Sequence, residues 1–98
     1  EQPTMYELFT LQVSFSQKTF TDATLIDHVL KLEKEVKELK DKPMDVKEYA
    51  DCFMCLFTSA YSANISYKDL IRAIAEKLAI NKKREWVKLD DGTYQHKG

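Results

Sequence analysis

The sequence is poor in the residues that interrupt helices. Its 98 residues include two glycines and two prolines. This scarcity argues against a fold of many short strands and predicts an all-α, four-helix bundle-like domain with short connections. Cysteine is equally scarce, and a zinc site at Cys52 and Cys55 would need both His28 and His96 as further ligands. We interpret the two cysteines as small apolar core residues of a reduced protein.

The sequence also lacks an excess of charge of one sign and any long apolar run. Its formal net charge is -1, from 15 basic and 16 acidic residues, which argues against polymeric nucleic acid as a partner. No apolar run approaches the roughly 20 residues of a membrane span, and the polar N-terminal residues lack the basic flank and apolar stretch of a secretory signal. We therefore expect a cytoplasmic protein that forms one domain over residues 1–98. A core this small favours self-association, as a dimer or a tetramer.

Apolar periodicity predicts two helices in the first part of the chain. The first covers about Thr4 to Gln17, with Leu8, Leu11 and Phe15 on its apolar face. A connection over residues 19–22 then ends in a cap at Asp22. The second helix follows, with an apolar stripe over residues 25–39, and the Asp-Lys-Pro sequence at 41–43 ends it.

Two further helices are predicted after the proline. Asp45 and Glu48 form a capping-box pattern that opens a third helix through about Ala60, whose dense apolar residues predict a central position. Ser66 precedes a fourth helix that ends at about Arg84. The polar residues 87–98 form a short irregular tail or, given the Asp-Gly turn signal at 91–92, a small hairpin or a partner-clasping arm.

Two pairs of acidic residues lie on either side of Pro43, one pair on the second helix and one on the third. Glu35 and Glu38 share one helix face, as do Glu48 and Asp51. An antiparallel helical hairpin turning at Pro43 would bring the pairs face to face. Four converging carboxylates repel one another unless a cation neutralises them, and oxygen ligands suit Mg²⁺, with Mn²⁺ as an alternative.

Each acidic residue also has a plain structural explanation. Glu35 and Glu38 lie among lysines, as on a solvated helix face, and Glu48 could serve only its capping box. Asp51 is harder to explain in this way, because it interrupts an apolar run and aspartate is seldom buried without a partner. A ferritin-like di-iron site would need Glu-x-x-His motifs, which neither acidic pair provides.

The acidic pairs resemble a known signature. Lys34-Glu35-Val36-Lys37-Glu38 followed by Glu48-Tyr49-Ala50-Asp51 is similar to the Glu-Glu-x-x-Glu and Glu-x-x-Asp motifs of MazG-like pyrophosphohydrolases, with Lys34 in place of the first glutamate. The resemblance extends from about Gln12 to His96, to a compact and partly phage-encoded subgroup that acts on dATP and dGTP.

The resemblance implies Mg²⁺-dependent hydrolysis of a nucleoside triphosphate, preferably a purine deoxynucleotide, to the monophosphate and pyrophosphate. The metal ligands would be Glu35, Glu38, Glu48 and Asp51. Metal coordination lowers the pKa of water, and Glu38 or Glu35 would orient that water as the catalytic residue.

Basic and aromatic residues near the end of the fourth helix are candidates for substrate binding. Lys77, Asn81 and Arg84 share one helix face that could receive a triphosphate, although cations also suit a helix C-terminus. Trp86 could stack on a base or close a small core, and His28 could border the site or be structural. Two other functions stay open: a catalytically silent helical interaction module, and a nucleotide-binding regulator that does not hydrolyse its ligand.

Overall fold

A computed structural model describes residues 1–98 and confirms the all-α class. The chain folds into four helices, α1 (Met5–Thr19), α2 (Leu25–Asp41), α3 (Val46–Ser62) and α4 (Tyr67–Lys83), followed by strands β1 (Trp86–Lys88) and β2 (Tyr94–His96). It divides into two compact units, residues 1–67 and 68–98. None of the helices has the length and apolar character needed to cross a membrane.

Helix α1 begins at a complete capping box but buries a different face from the predicted one. The Thr4 hydroxyl accepts a hydrogen bond from the Glu7 backbone N–H, and the Glu7 carboxylate accepts one from the Thr4 N–H. The buried side chains are Phe9, Val13 and Ser16. The predicted face of Leu8, Leu11 and Phe15 is exposed.

The difference arises because Phe9 packs against the aromatic residues of the unit. Its ring lies 5.3 Å from that of Phe57 and 5.5 Å from that of Tyr67. The sequence therefore carries two apolar faces on α1, and only one of them is used within the chain.

Helix α2 begins two residues later than predicted. Its cap is Thr24 rather than Asp22: the Thr24 hydroxyl accepts from the Asp27 N–H and the Asp27 carboxylate accepts from the Thr24 N–H. Thr24 caps the helix in preference to Asp22 because Asp27, three positions after Thr24, completes a capping box. The two side chains together satisfy two backbone N–H groups.

Helix α3 is central within residues 1–67, as predicted, because it packs against both α1 and α2. Asp45 caps it, but the predicted capping box with Glu48 is wrong, since the Asp45 side chain accepts from the Lys47 N–H instead. The tight connection from α2 is closed by the Tyr49 hydroxyl, which donates to the Pro43 carbonyl at 2.9 Å. The Glu48 side chain is thus free for another role.

Helix α3 ends at a left-handed residue. Asn64 has a φ of 63°, and the Ile65 N–H donates to the Ala60 carbonyl while the Asn64 N–H donates to the Tyr61 carbonyl. This is a Schellman ending with asparagine in the place that glycine usually takes. Helix α4 begins directly after the predicted cap residue Ser66.

The last residues form an antiparallel hairpin, one of the three predicted forms of the tail, and not the irregular segment that was the first of them. Trp86 pairs with His96 and Lys88 with Tyr94. The turn uses Gly92 at a φ of 91°, where a side chain would be strained, and the Asp91 carboxylate accepts from both the N–H and the hydroxyl of Thr93.

Candidate metal centre and adjoining cavity

The two acidic pairs meet, as the sequence predicts. Helix α2 presents Glu35 and Glu38 from one side, and helix α3 presents Glu48 and Asp51 from the other. One carboxylate oxygen from each residue lies within 4.8 Å of the corresponding oxygens of the other three. At this spacing the four charges share one small volume, where they repel strongly unless they are neutralised.

The most buried carboxylate of the cluster is Glu35, not Asp51. Glu35 is only 6% exposed, although its lysine-rich surroundings in the sequence suggested a solvated helix face. Asp51, which interrupts an apolar run, is only partly buried. Glu35 is buried because it lies on the face of α2 that packs against α3.

Two oxygen atoms of the cluster are buried without any hydrogen-bond partner. They are Oε2 of Glu35 and Oε2 of Glu48. Buried carboxylate oxygens without donors are costly, so unpaired oxygens from two helices at one point indicate a site that a ligand completes.

Neighbouring charges set the protonation of the α2 pair. Lys31 donates to Glu35, with its Nζ 3.1 Å from Oε1, and lowers the pKa of Glu35. The hydrogen bond between Glu35 and Glu38, together with the charge of Glu35, raises the pKa of Glu38. A proton taken up by this pair therefore resides first on Glu38.

The donor set suits a hard divalent cation. It consists only of carboxylates, which Mg²⁺ and Mn²⁺ prefer. Burial raises the pKa of the thiols of Cys52 and Cys55, so both nearby cysteines stay protonated and are poor ligands. Glu33, the acidic residue next to Lys34, is exposed and is not part of the cluster.

A cavity of about 350 Å³ adjoins the carboxylates. Glu35 and Asp51 contribute to its wall, as does Lys31. The rest of the lining comes mainly from apolar and small polar side chains of α1, α2 and α3 and of the segment between α1 and α2: Gln12, Phe15, Ser16, Phe20, Ala23, Asp27, His28, Met54, Cys55 and Thr58. The cavity thus combines an acidic edge with a largely apolar interior, a combination typical of ligand sites.

His28 lies in this cavity, as its predicted role in substrate binding requires. It also lines a second cavity of about 440 Å³, which shares Ser16, Phe20, Ala23 and Thr58 with the first. Phe15 and Phe20 form an edge-to-face pair with ring centroids 5.8 Å apart, and each ring is about half exposed, at 52% and 50%. The cavity therefore offers aromatic surface that is available to a ligand.

The candidate substrate residues of the second unit gather where α4 ends. The Arg84 guanidinium donates to the Asn81 side-chain oxygen at 3.4 Å, and the Trp86 indole N–H donates to the Asn81 carbonyl at 3.0 Å. Trp86 also packs edge-to-face against His96, at 6.1 Å. These contacts join the hairpin to the helix end, while Trp86 itself remains 41% exposed. Lys77 is exposed on the same helix.

Sequence reasoning did not single out several residues of the cavity. Lys31 and Asp27 were not identified as site residues, and Met54 and Cys55 were interpreted as core. The spacing of Lys31 and Glu35 was the available signal, because residues four apart on a helix can pair. For the others the signal depends on how α1, α2 and α3 pack, which spacing along one helix does not reveal.

Comparison with known proteins agrees with this geometry. Residues 10–97 match the model of the dATP/dGTP pyrophosphohydrolase family. The chain is 38% identical over 94 residues to a dATP/dGTP diphosphohydrolase of Salmonella phage PMBT28; the match covers 95% of this chain and 31% of the relative, so the chain spans less than a third of that protein.

A solved structure shares the fold. The cyanophage S-2L MazG-like pyrophosphohydrolase, bound to dGDP and three catalytic Mn²⁺ ions per active site, superposes with a TM-score of 0.83. The two sequences are 28% identical, and the match covers 99% of this chain and 100% of that one. The family match and the shared fold confirm the resemblance found in the sequence: the chain belongs to the dATP/dGTP pyrophosphohydrolase family.

Proposed function

We propose that the protein hydrolyses a purine deoxynucleoside triphosphate, dATP or dGTP, to the monophosphate and pyrophosphate. The observation that carries this proposal is the four-carboxylate cluster, with two buried and unpaired oxygens, at the edge of a cavity with an apolar interior. A polyphosphate bound at the acidic edge requires cations, and the cavity provides a separate place for the nucleoside. The family and the dGDP-bound relative support the choice of nucleotide.

In this proposal the four carboxylates hold Mg²⁺ or Mn²⁺. A bound divalent cation supplies charge neutralisation at phosphate oxygens and lowers the pKa of water. Glu35 and Glu48 contribute the oxygens that lack donors, and Asp51 contributes its carboxylate from the cavity wall. Glu38 is the exposed carboxylate of the α2 pair, so it is the better placed of the two to orient the attacking water.

The nucleoside is assigned to the cavity interior. Phe15 and Phe20 offer faces and edges on which a purine can stack, and a purine is the larger and more polarisable class of base. His28 and Gln12 supply donors and acceptors to the same cavity. His28 therefore retains its predicted place among the substrate-binding residues.

Lys77, Asn81, Arg84 and Trp86 stay proposed substrate residues. Arg84 would bind phosphate oxygens with its guanidinium and Lys77 would act as a point charge. Because the Asn81 side chain already accepts from Arg84, we assign it to positioning that guanidinium. Trp86, whose N–H is occupied by Asn81, would contribute only its ring.

Release of pyrophosphate from a panel of nucleoside triphosphates tests the proposal. With Mg²⁺ or Mn²⁺ present, we expect the wild type to prefer dATP and dGTP and Asp51→Asn to lose more than about 100-fold of this activity while remaining folded. Asp41→Asn, which removes an exposed carboxylate near the end of the same helical hairpin, is the matched control and should retain activity. An active Asp51→Asn enzyme would contradict the assigned site.

The same panel separates the two other functions left open by the sequence. A nucleotide-binding regulator would show a rise in melting temperature with nucleotide and metal but release no pyrophosphate. A catalytically silent interaction module would show neither effect. The first outcome would attribute the loss of hydrolysis to Lys34 at the position of the first motif glutamate.

We further propose that the chain self-associates, as its small size predicts. Leu8 and Leu11 on α1 remain 44% and 62% exposed, and α4 buries none of its residues. Apolar faces of this kind mark association surfaces. Light scattering on Leu11→Glu should show a smaller assembly than the wild type, whereas Thr10→Glu, an exposed neighbour, should not change the assembly.

A further inference from the structure

Lys31 is the only cation that contacts the acidic cluster. Its Nζ lies 3.1 Å from Oε1 of Glu35, and it is the one ion pair that any of the four carboxylates makes. The two side chains differ greatly in burial: that of Glu35 is 8% exposed and that of Lys31 is 61% exposed. The anion is thus fixed in the interior while the cation reaches it from solvent on a long, flexible stem.

Only one of the two carboxylate oxygens of Glu35 has a partner. Oε1 of Glu35 has Lys31, but Oε2 has no donor, and Oε2 of Glu48 is equally without one. One ammonium therefore offsets one of four converging carboxylates. Such an arrangement keeps Glu35 ionised and turned inward but leaves most of the charge at the cluster uncompensated.

We propose that Lys31 is a resident counter-cation of the cluster, which holds Glu35 ready for a divalent cation and yields Glu35 to it. This inference rests on the proposed metal site. Because Lys31 is exposed, releasing it costs little beyond the lost ion pair, whereas a cation that reaches all four carboxylates gains far more. Lys31 thus competes with the metal for Glu35 and is not itself a metal ligand.

The released ammonium stays close to the substrate. Lys31 lines the same cavity wall as Glu35 and Asp51. Its Nζ, once separated from Glu35, is available to a phosphate oxygen bound at that edge, as a point charge. Lys31 would then pair with Glu35 before the metal binds and with a phosphate oxygen of the substrate afterwards.

Binding of Mn²⁺ alone, followed by the electron paramagnetic resonance of the free ion, tests the first role without turnover. Lys31→Met keeps the stem and removes the charge, and Lys37→Met removes the same charge from an exposed position of the same helix. At low salt we expect Lys31→Met to bind Mn²⁺ about two- to fivefold more tightly than Lys37→Met, the range of a partly exposed ion pair. Lys31→Arg should return the affinity to that of the wild type.

The second role is tested by binding inorganic pyrophosphate in saturating Mn²⁺. Lys31→Met should bind it more weakly than Lys37→Met, even though its Mn²⁺ affinity is higher. A merely structural lysine would not change the two affinities in opposite directions. Equal Mn²⁺ affinities in the two methionine variants would overturn the inference.

The same measurements distinguish a variant that fails to fold from one that folds but lacks the proposed role of Lys31. If Lys31→Met unfolds in EDTA, recovery of the fold with Mn²⁺ supports the inference and failure to recover overturns it. A wild type that hydrolyses nucleotide while Lys31→Met behaves as Lys37→Met refutes only the role of Lys31. A wild type that binds no Mn²⁺ refutes the metal site and this inference together.

Discussion

The acidic residues at the helix caps and the turn differ sharply from those between α2 and α3. Glu7, Asp27 and Asp91 each accept hydrogen bonds from a residue two or three positions away, and those bonds lower the pKa of each carboxyl. In the cluster the pKa of Glu38 is raised instead, and two oxygens have no donor. Local acids stabilise the fold by themselves, whereas the clustered acids, of which only Glu35 has a cation beside it, need a further cation from outside.

Metal binding should have the largest effect on the free energy of unfolding, because it stabilises the clustered acids and not the local ones. Mn²⁺ at about 100 times its dissociation constant should raise the free energy of unfolding of the wild type by about 2.7 kcal/mol. Glu35→Gln should lose most of that gain, because it removes the buried ligand. Urea unfolding followed by circular dichroism, with and without Mn²⁺, measures the difference.

Glu7→Gln is the control for that measurement, since glutamine can close the same capping box. It should respond to Mn²⁺ as the wild type does. If Glu7→Gln lost the response to the same extent as Glu35→Gln, the metal would be acting through overall charge, and the contrast between the two groups of acids would fail.

Removing a cap should have a smaller effect that does not depend on metal. Thr24→Ala deletes the hydroxyl that accepts from the Asp27 N–H and should lower the free energy of unfolding by about 1 kcal/mol. The loss should be the same with Mn²⁺ and with EDTA, measured by urea unfolding. A loss seen only with Mn²⁺ would mean that the cap serves the metal site rather than the helix.

The pH dependence of stability should be the smallest effect, and its sign should be opposite for Asp27, at a helix cap, and Glu38, in the cluster. The pKa of Asp27 is lowered in the folded state by the Thr24 backbone, so its contribution is present above its usual pKa of 3.8 and is lost as pH falls through the folded value. The pKa of Glu38 is raised above 4.5, chiefly by its hydrogen bond with Glu35, so its contribution is present at low pH and is lost as pH rises through the folded value.

Unfolding in EDTA from pH 3 upward, roughly to pH 7 to cover both carboxyl ranges, measures these signs. Relative to the wild type, Glu38→Gln should become more stable as the pH rises, and Asp27→Asn should become less stable. Parallel pH profiles for the wild type and Glu38→Gln would contradict the raised pKa.

Patterns within one helix predicted most of the fold and the composition of the cluster. Long stretches without glycine or proline predicted the four helices, and the spacing of the two acidic pairs places each pair on a single face, so a short connection at Pro43 was enough to predict their meeting. The family resemblance, carried by the same acids, was confirmed by the match over residues 10–97.

Features that depend on packing between elements were harder to predict. The burial of Glu35 requires knowing which face of α2 meets α3, and the apolar face of α1 was assigned to Leu8 rather than Phe9 because both faces are apolar. The strands of the hairpin are three residues long and exposed throughout, so they show no alternation of apolar and polar residues. Only the turn at Gly92 was visible in advance.

The closed connection between α2 and α3 has a consequence for folding. All four carboxylates lie between Glu35 and Asp51, on either side of a loop fastened by the Tyr49 hydroxyl and the Pro43 carbonyl. Joining residues so near in the chain loses little loop entropy, and such contacts form rapidly. The repulsion among the four carboxylates is therefore encountered early on the folding route, and divalent cations present at that stage should speed the formation of this helical hairpin.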